Sequence, residues 1–240
     1  MKRAWFVTGT DTGVGKTTVS CGLLQRFTHL GLDTVGMKPV ATGCQYEQGN
    51  LRHDDVEQLI ANSSCSVGPP SQQALCAEGA VARQWVNPYA FVPAISPHLA
   101  AQEAGVGIDF SLIQTALRAL QARADIVVVE GAGGFRVPLG AEGDMADLCA
   151  FLGVPLILVV GMRLGCLNHA LLTVEAIRSR RLLLAGWVAN RLDPHMVAFD
   201  GNLETLRHEI EAPCLGVMPF MPAGGIRNML PPLALELLDQ

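Results

Sequence analysis

Apolar positions along this chain gather in six short, nearly continuous runs, at residues 4–8, 34–37, 126–130, 156–160, 183–189 and 214–218. Runs of that length without polar alternation predict strands covered on both faces. Between most of them, apolar residues recur at three- and four-residue spacing. This predicts helices over 16–30, closed by Gly31, and over 54–61, 110–123, 144–152, 167–178 and 203–210. In the third of these, Phe110, Ile113, Leu117 and Leu120 share one helical face and are expected in the core. Alternating strands and helices imply a doubly wound, mostly parallel α/β sheet with helices on both faces. Ligands are then expected at the carboxyl ends of the strands. Two stretches break the rhythm. Residues 63–86, rich in Ser, Pro, Gln and Ala, read as a surface excursion, and 219–232, rich in Pro and Gly, as a loop over the strand ends.

Composition narrows the picture. A length of 240 residues suits a single α/β domain over 1–240. The net charge of -5 removes any electrostatic case for nucleic acid or an anionic membrane surface. Seven cysteines without C-x-x-C pairs argue for reduced thiols in a cytoplasmic chain, against a disulfide framework and against structural zinc. The first apolar run begins at residue 4, so no targeting segment is expected, and the apolar stretch 154–160 is too short to span a bilayer.

The strongest chemical signal follows the first run. Residues 7–18 read V-T-G-T-D-T-G-V-G-K-T-T and lead into a helical pattern. A Gly-rich turn aims backbone N–H groups at phosphate oxygens, and the following helix adds its positive N-terminus. Gly13, Val14, Gly15, Lys16, Thr17 and Thr18 are therefore expected to cradle the phosphates of a nucleoside triphosphate. Lys16 would reach the terminal phosphates and Thr17 would hold Mg2+. Strict spacing wants glycine at position 10, where the chain has Thr10; its first glycine, Gly9, is one residue early. The fold expected is thus of the P-loop NTPase type.

Other candidates lie at the ends of other runs. Lys38 leaves the second one in G-M-K-P-V-A-T-G, aimed at the ligand crevice, with Thr42 and Gly43 in the same loop. Asp54 and Asp55 begin a helix, Asp54 as an N-cap or dipole partner and Asp55 as a carboxylate within reach of magnesium. The third run ends in V-V-V-E-G-A-G-G, matching the magnesium-side strand of P-loop proteins with Glu130 as its carboxylate. Gly131 and Gly133, flanking Ala132, allow close backbone approach to a ligand. A buried Glu130 requires a cationic partner, metal or lysine. The turn G-M-R-L-G-C-L-N-H opens a helix whose N–H groups suit an anion such as a carboxylate; Cys166 reads there as a buried thiol and His169 as a packing residue. N-R-L-D at 190–193 follows the fifth run, and Asn190 is the expected base contact, with Arg191 beside it.

Taken together, G-T-D-T-G-V-G-K-T, G-M-K-P-V-A-T-G, L-R-H-D-D, N-P-Y-A-F, S-P-H, V-E-G-A-G-G, G-M-R-L-G-C-L-N-H-A and A-G-W-V-A-N resemble dethiobiotin synthetase, in order from Phe6 to about Pro219. The resemblance implies an enzyme that closes a ureido ring on 7,8-diaminononanoate with carbon dioxide, using ATP and magnesium. It implies Lys38 and Lys16 as catalytic residues, and Thr17, Asp55 and Glu130 as magnesium ligands that also meet the nucleotide. Thr42, Gly165, Cys166 and Asn168 would bind the diamino acid, and Pro219, Phe220 and Met221 would join Asn190 at the base. It further implies a homodimer with sites at the interface, the helix start at 164–168 serving the neighbouring subunit. Gly13 stands where some members carry an acidic residue. The rival class, a nucleotide-switch ATPase of the partitioning or iron-protein type, carries a second lysine early in its loop, where this chain has Asp11.

Overall fold

The computed structural model describes residues 3–47, 49–68, 81–221 and 233–239. Six parallel strands form one sheet, in the spatial order Cys214–Met218, Leu184–Arg191, Leu156–Met162, Arg3–Gly9, Ile126–Glu130 and Thr34–Met37. All six expected strands are present. The two following the sheet centre run further than their apolar runs, because Gly161 pairs with Asn190 and Met162 with Arg191. Asn190 and Arg191 are thus the last residues of a strand. The expectation that they follow it is corrected by that pairing.

Period-two alternation splits each central strand between two faces. Trp5, Val7, Ile126 and Val128 meet Val19, Leu23, Leu24 and Phe27 of helix Lys16–His29, and the Trp5 and Phe27 rings stack 4.9 Å apart. Phe6, Val127 and Val129 turn the other way, onto helices Phe110–Arg123 and Met145–Leu152. The stripe read as core in the first of these is buried as expected. Leu158, Val160, Trp187 and Ala189 pack with helices Cys166–Ser179 and Phe199–Glu209. Each fully buried leucine or isoleucine of these faces contributes about 1.5–3 kcal/mol relative to exposure.

Helix starts follow local chemistry. Asp144 is an N-cap, accepting from Asp147 N–H while Asp147 accepts from Asp144 N–H, so that helix begins at Met145. His53, with Asp54 as the first helical residue, caps helix Asp54–Ala61 by accepting from Asp55 N–H. The N-cap alternative for Asp54 is therefore corrected, and its place in the first turn favours the dipole instead. Short helices Arg83–Val86 and Pro97–Glu103 and three two-stranded pairs, among them parallel Val40–Thr42 with Tyr89–Phe91, are too brief to show periodicity.

The described part of segment 63–86 corrects the surface reading. Val81 and Val86 are buried, Val67 bridges to Val81, and Thr34 and Gly36 of the edge strand donate N–H to Ser64 Oγ at 2.8 Å and Ser63 Oγ at 2.9 Å. Residues 69–80, and the 222–232 part of the proline-rich loop, lie outside the described residues. Among the described residues, no helix is long and apolar enough to cross a membrane.

Candidate active site

The phosphate loop leaves strand Arg3–Gly9 and enters helix Lys16–His29 through two left-handed glycines, Gly13 at φ 73° and Gly15 at φ 89°. A side chain at Gly15 would also strike Asn190 Nδ2. The early glycine has a packing reason. A Cβ at Gly9 would lie 2.6 Å from Val14 Cγ2 and 3.1 Å from Lys16 Cγ. Thr10, free of that constraint, accepts Gly161 N–H at 3.4 Å.

Lys16 Nζ donates to Asp11 O at 2.9 Å. Burial, reinforced by the nearby Lys38 charge, pulls its pKa down to about 8. On the other side of the loop, Asn190 Nδ2 donates to Val14 O at 2.8 Å and braces the backbone from below.

Four of the expected site residues converge around one ammonium group. Lys38 is 4% exposed, and its Nζ donates to Glu130 Oε1 at 2.5 Å, Asp55 Oδ2 at 2.8 Å and Gly131 O at 3.4 Å. Thr17 Oγ1 donates to the same Glu130 oxygen at 2.9 Å. Burial alone would lower the Lys38 pKa, but the Glu130 and Asp55 charges outweigh it and raise it. Burial likewise works against ionised Asp55, yet Lys38 holds that carboxyl below its ordinary value. Asn87 Nδ2 pins the Lys38 backbone, donating to Lys38 O at 2.7 Å and Tyr89 O at 3.0 Å.

Glu130 is wholly buried, and its second oxygen, Oε2, has no hydrogen-bond partner among the described residues. An orphaned carboxylate oxygen inside the fold is costly. Beside a threonine hydroxyl and a second carboxylate, it fits a hard, oxygen-seeking cation such as magnesium. The glycine run that follows lies against the loop. Gly131 N–H donates to Val7 O at 3.0 Å, and Gly134 faces the Gly9 and Asp11 backbone.

The remaining candidates stand apart from this cluster. Gly165, left-handed at φ 94°, starts helix Cys166–Ser179; Cys166 is buried and Asn168 exposed. Their strand, Leu156–Met162, flanks Arg3–Gly9 on the side away from Ile126–Glu130. Thr42 ends a short strand four residues beyond Lys38. Arg191 spans 4.6 Å onto the Phe199 ring and donates to Asp193 O and Pro194 O, while Pro219, Phe220 and Met221 follow the adjoining strand.

A family profile described as an AAA domain matches residues 3–225. The ATP-dependent dethiobiotin synthetase BioD of Aromatoleum aromaticum is 52% identical over 219 residues, 91% of this chain and 91% of that protein. That of Nitrosospira multiformis is 50% identical over 220 residues, 92% and 89% of the two chains. The chain belongs to the dethiobiotin synthetase family. Solved structures at lower identity share the fold. The septum site-determining protein MinD of Pyrococcus horikoshii, complexed with Mg-ADP, superposes with a TM-score of 0.56 at 16% identity, covering 99% of this chain and 89% of that one. The cell division protein FtsY of Thermotoga maritima gives 0.53 at 17%, covering 100% and 69%.

Within this dethiobiotin synthetase site, three contributors escaped the sequence reading. His53 Nδ1 accepts Asp55 N–H at 3.1 Å and so orients the helix start that carries Asp55. Asp11 supplies the carbonyl that holds Lys16, and Arg163 Nη2 pairs with Asp11 Oδ2 at 2.6 Å. The motif L-R-H-D-D held a signal for the first, since a residue just before a helix is a capping candidate. No spacing rule links positions 11 and 163.

Proposed function

We infer that this chain is an ATP-dependent dethiobiotin synthetase in biotin biosynthesis, closing a ureido ring on 7,8-diaminononanoate with carbon dioxide. An amine and carbon dioxide form a carbamate, the γ-phosphate of ATP activates it as a mixed anhydride, and the second amine displaces phosphate, leaving ADP. The observation that carries this reading beyond family membership is the buried Lys38 ammonium beside Glu130, Asp55 and the start of the glycine run. Its fixed positive charge suits carbamate and phosphoryl oxygens as charge develops on them. Lys16, held at the loop, offsets the terminal phosphates. Gly13 to Thr18 cradle the phosphates, Gly131 to Gly133 approach the nucleotide, and Asn190, Arg191 and Pro219 to Met221 hold the base. Thr17, Asp55 and Glu130 would hold magnesium, which supplies charge neutralisation at the phosphates. Thr42 contacts the amine end of the diamino acid.

The carboxylate end is assigned to Gly165, Cys166 and Asn168 at a helix start. The reading includes a symmetric homodimer in which this turn serves the partner's site, so that the two halves of each site lie on different chains. A cytoplasmic location and a single domain over 1–240 complete the reading, and seven unpaired-by-motif cysteines suit reducing surroundings.

The test is direct. Purified protein given diamino acid, bicarbonate and Mg-ATP should yield dethiobiotin by mass spectrometry with stoichiometric ADP, and should elute as a dimer. ATP turnover indifferent to the diamino acid, with no dethiobiotin formed, would replace this reading with the switch-ATPase class.

A further inference from the structure

We propose that Arg163 is a positioning residue that couples the phosphate loop to the carboxylate-binding turn, through its ion pair with Asp11. Three contacts build the link. Lys16 Nζ bonds Asp11 O at 2.9 Å; Asp11 Oδ1 accepts Thr12 N–H at 2.7 Å; Asp11 Oδ2 pairs with Arg163 Nη2 at 2.6 Å. Asp11 thus joins the lysine of the loop to a guanidinium 152 positions away in sequence.

Arg163 opens the turn that leads to Gly165 and Cys166. Its own carbonyl accepts Cys166 N–H at 3.0 Å, closing the turn. Leu164 is 97% exposed and Gly165 has no side chain, so neither offers packing to hold the turn in place. Buried Met162 and Cys166 anchor the ends of the turn, and the Arg163 guanidinium ties its exposed middle to the loop. About half of each charged side chain is exposed, which makes the pair weak alone and adjustable by nearby charge.

A triphosphate supplies that charge. Its oxygens draw Lys16 Nζ from the neutral Asp11 carbonyl, because a charge-assisted bond is the stronger of the two. The same negative charge attracts the Arg163 guanidinium toward the loop and fixes the turn whose N–H groups meet the carboxylate. Nucleotide binding therefore tightens diamino acid binding, and by reciprocity the diamino acid tightens the nucleotide. If the turn serves the partner's site, the pair carries information between the two sites of a dimer. This inference rests on assigning the carboxylate to Gly165–Asn168.

The test uses the full-length protein and calorimetric binding of 7,8-diaminononanoate with and without saturating magnesium adenylyl imidodiphosphate. In the unaltered chain, the analogue should lower the diamino acid Kd about fivefold. Arg163→Ala and Asp11→Asn should each bring that ratio near one, the double variant should go no lower, and Arg163→Lys should restore most of it. A structural role alone would change stability without that pattern of rescue. Should Arg163→Ala keep the full ratio, or the unaltered chain show none while binding both ligands, the coupling is refuted and the carboxylate assignment stands. Were the unaltered chain to bind the analogue but no diamino acid, both the assignment and the coupling would fall.

Discussion

Strand Ile126–Glu130 ends beside the phosphate loop in a carboxylate, whereas strand Leu184–Arg191 reaches the same loop with an amide, Asn190. Both side chains are buried, at 0% and 7% exposure, but their contacts differ in kind. Glu130 accepts from Lys38 and Thr17 within a cluster of buried charge. Asn190 donates one neutral bond to a loop carbonyl. The difference teaches how the site divides its labour. Burying charge is costly unless it is paired, and under the proposed function it is concentrated where the reaction makes and moves charge. Under the same proposal nothing changes charge at the nucleoside end, and there a neutral amide shapes the loop at lower cost.

Three measurements can break or sharpen that contrast. The largest effect belongs to the charged end. Lys38→Gln should lower kcat by about 100-fold or more while the KM for the diamino acid moves by less than about threefold, because the interaction strengthens in the transition state. Steady-state kinetics decide it, and a change confined to KM would reduce Lys38 to a binding residue. Asn190→Ala should act oppositely, raising the KM for ATP about tenfold with kcat nearly preserved, and costing about 1 kcal/mol of stability for the lost bond to Val14. A kcat loss there comparable to that of Lys38→Gln would erase the division.

The smallest effect concerns Lys16, which stands between the two ends. Its folded pKa of about 8 lies below the ordinary 10.5, so the fold bears the full cost of its buried charge below pH 8. That cost is relieved as pH rises from 8 to 10.5 and is gone above it. Lys16→Met, although inactive, should therefore be more stable at pH 7 by about 1–2 kcal/mol after the lost Asp11 bond is counted, with the gain vanishing toward pH 10.5. Thermal melts across that range test the sign, and a lower Tm at pH 7 would show that the loop stabilises this charge.

The six strands were legible because each is a compact apolar run, most of them buried on both faces, and the phosphate loop because its glycines serve backbone geometry. Lys38, Asp55, Thr17 and Glu130 were legible as separate strand-end or helix-start residues. Their convergence in one hydrogen-bonded cluster was not, since it depends on the strand from the chain's middle lying between the first two. Strand ends blurred for a related reason. Asn190 and Arg191 look like loop residues until a neighbouring strand pairs with them. The pairing of Asp11 with Arg163 had no signature at all, because a surface ion pair between distant positions leaves no period in either segment. Segment 63–86 misled by composition, its serines being partners of the backbone of the sheet.

Those serines have a further effect. Thr34–Met37 is an edge strand, and its outward N–H groups at Thr34, Gly36 and Lys38 donate to Ser64 Oγ, Ser63 Oγ and Val86 O. Cys65 N–H in turn donates to Thr34 O. An uncovered edge with Val35 and Met37 on its faces would be a template for strands of other chains, and self-association is the usual outcome. Hydroxyl and carbonyl groups from outside the sheet occupy those positions instead. The strand that leads to Lys38 can thus remain short and apolar without inviting aggregation.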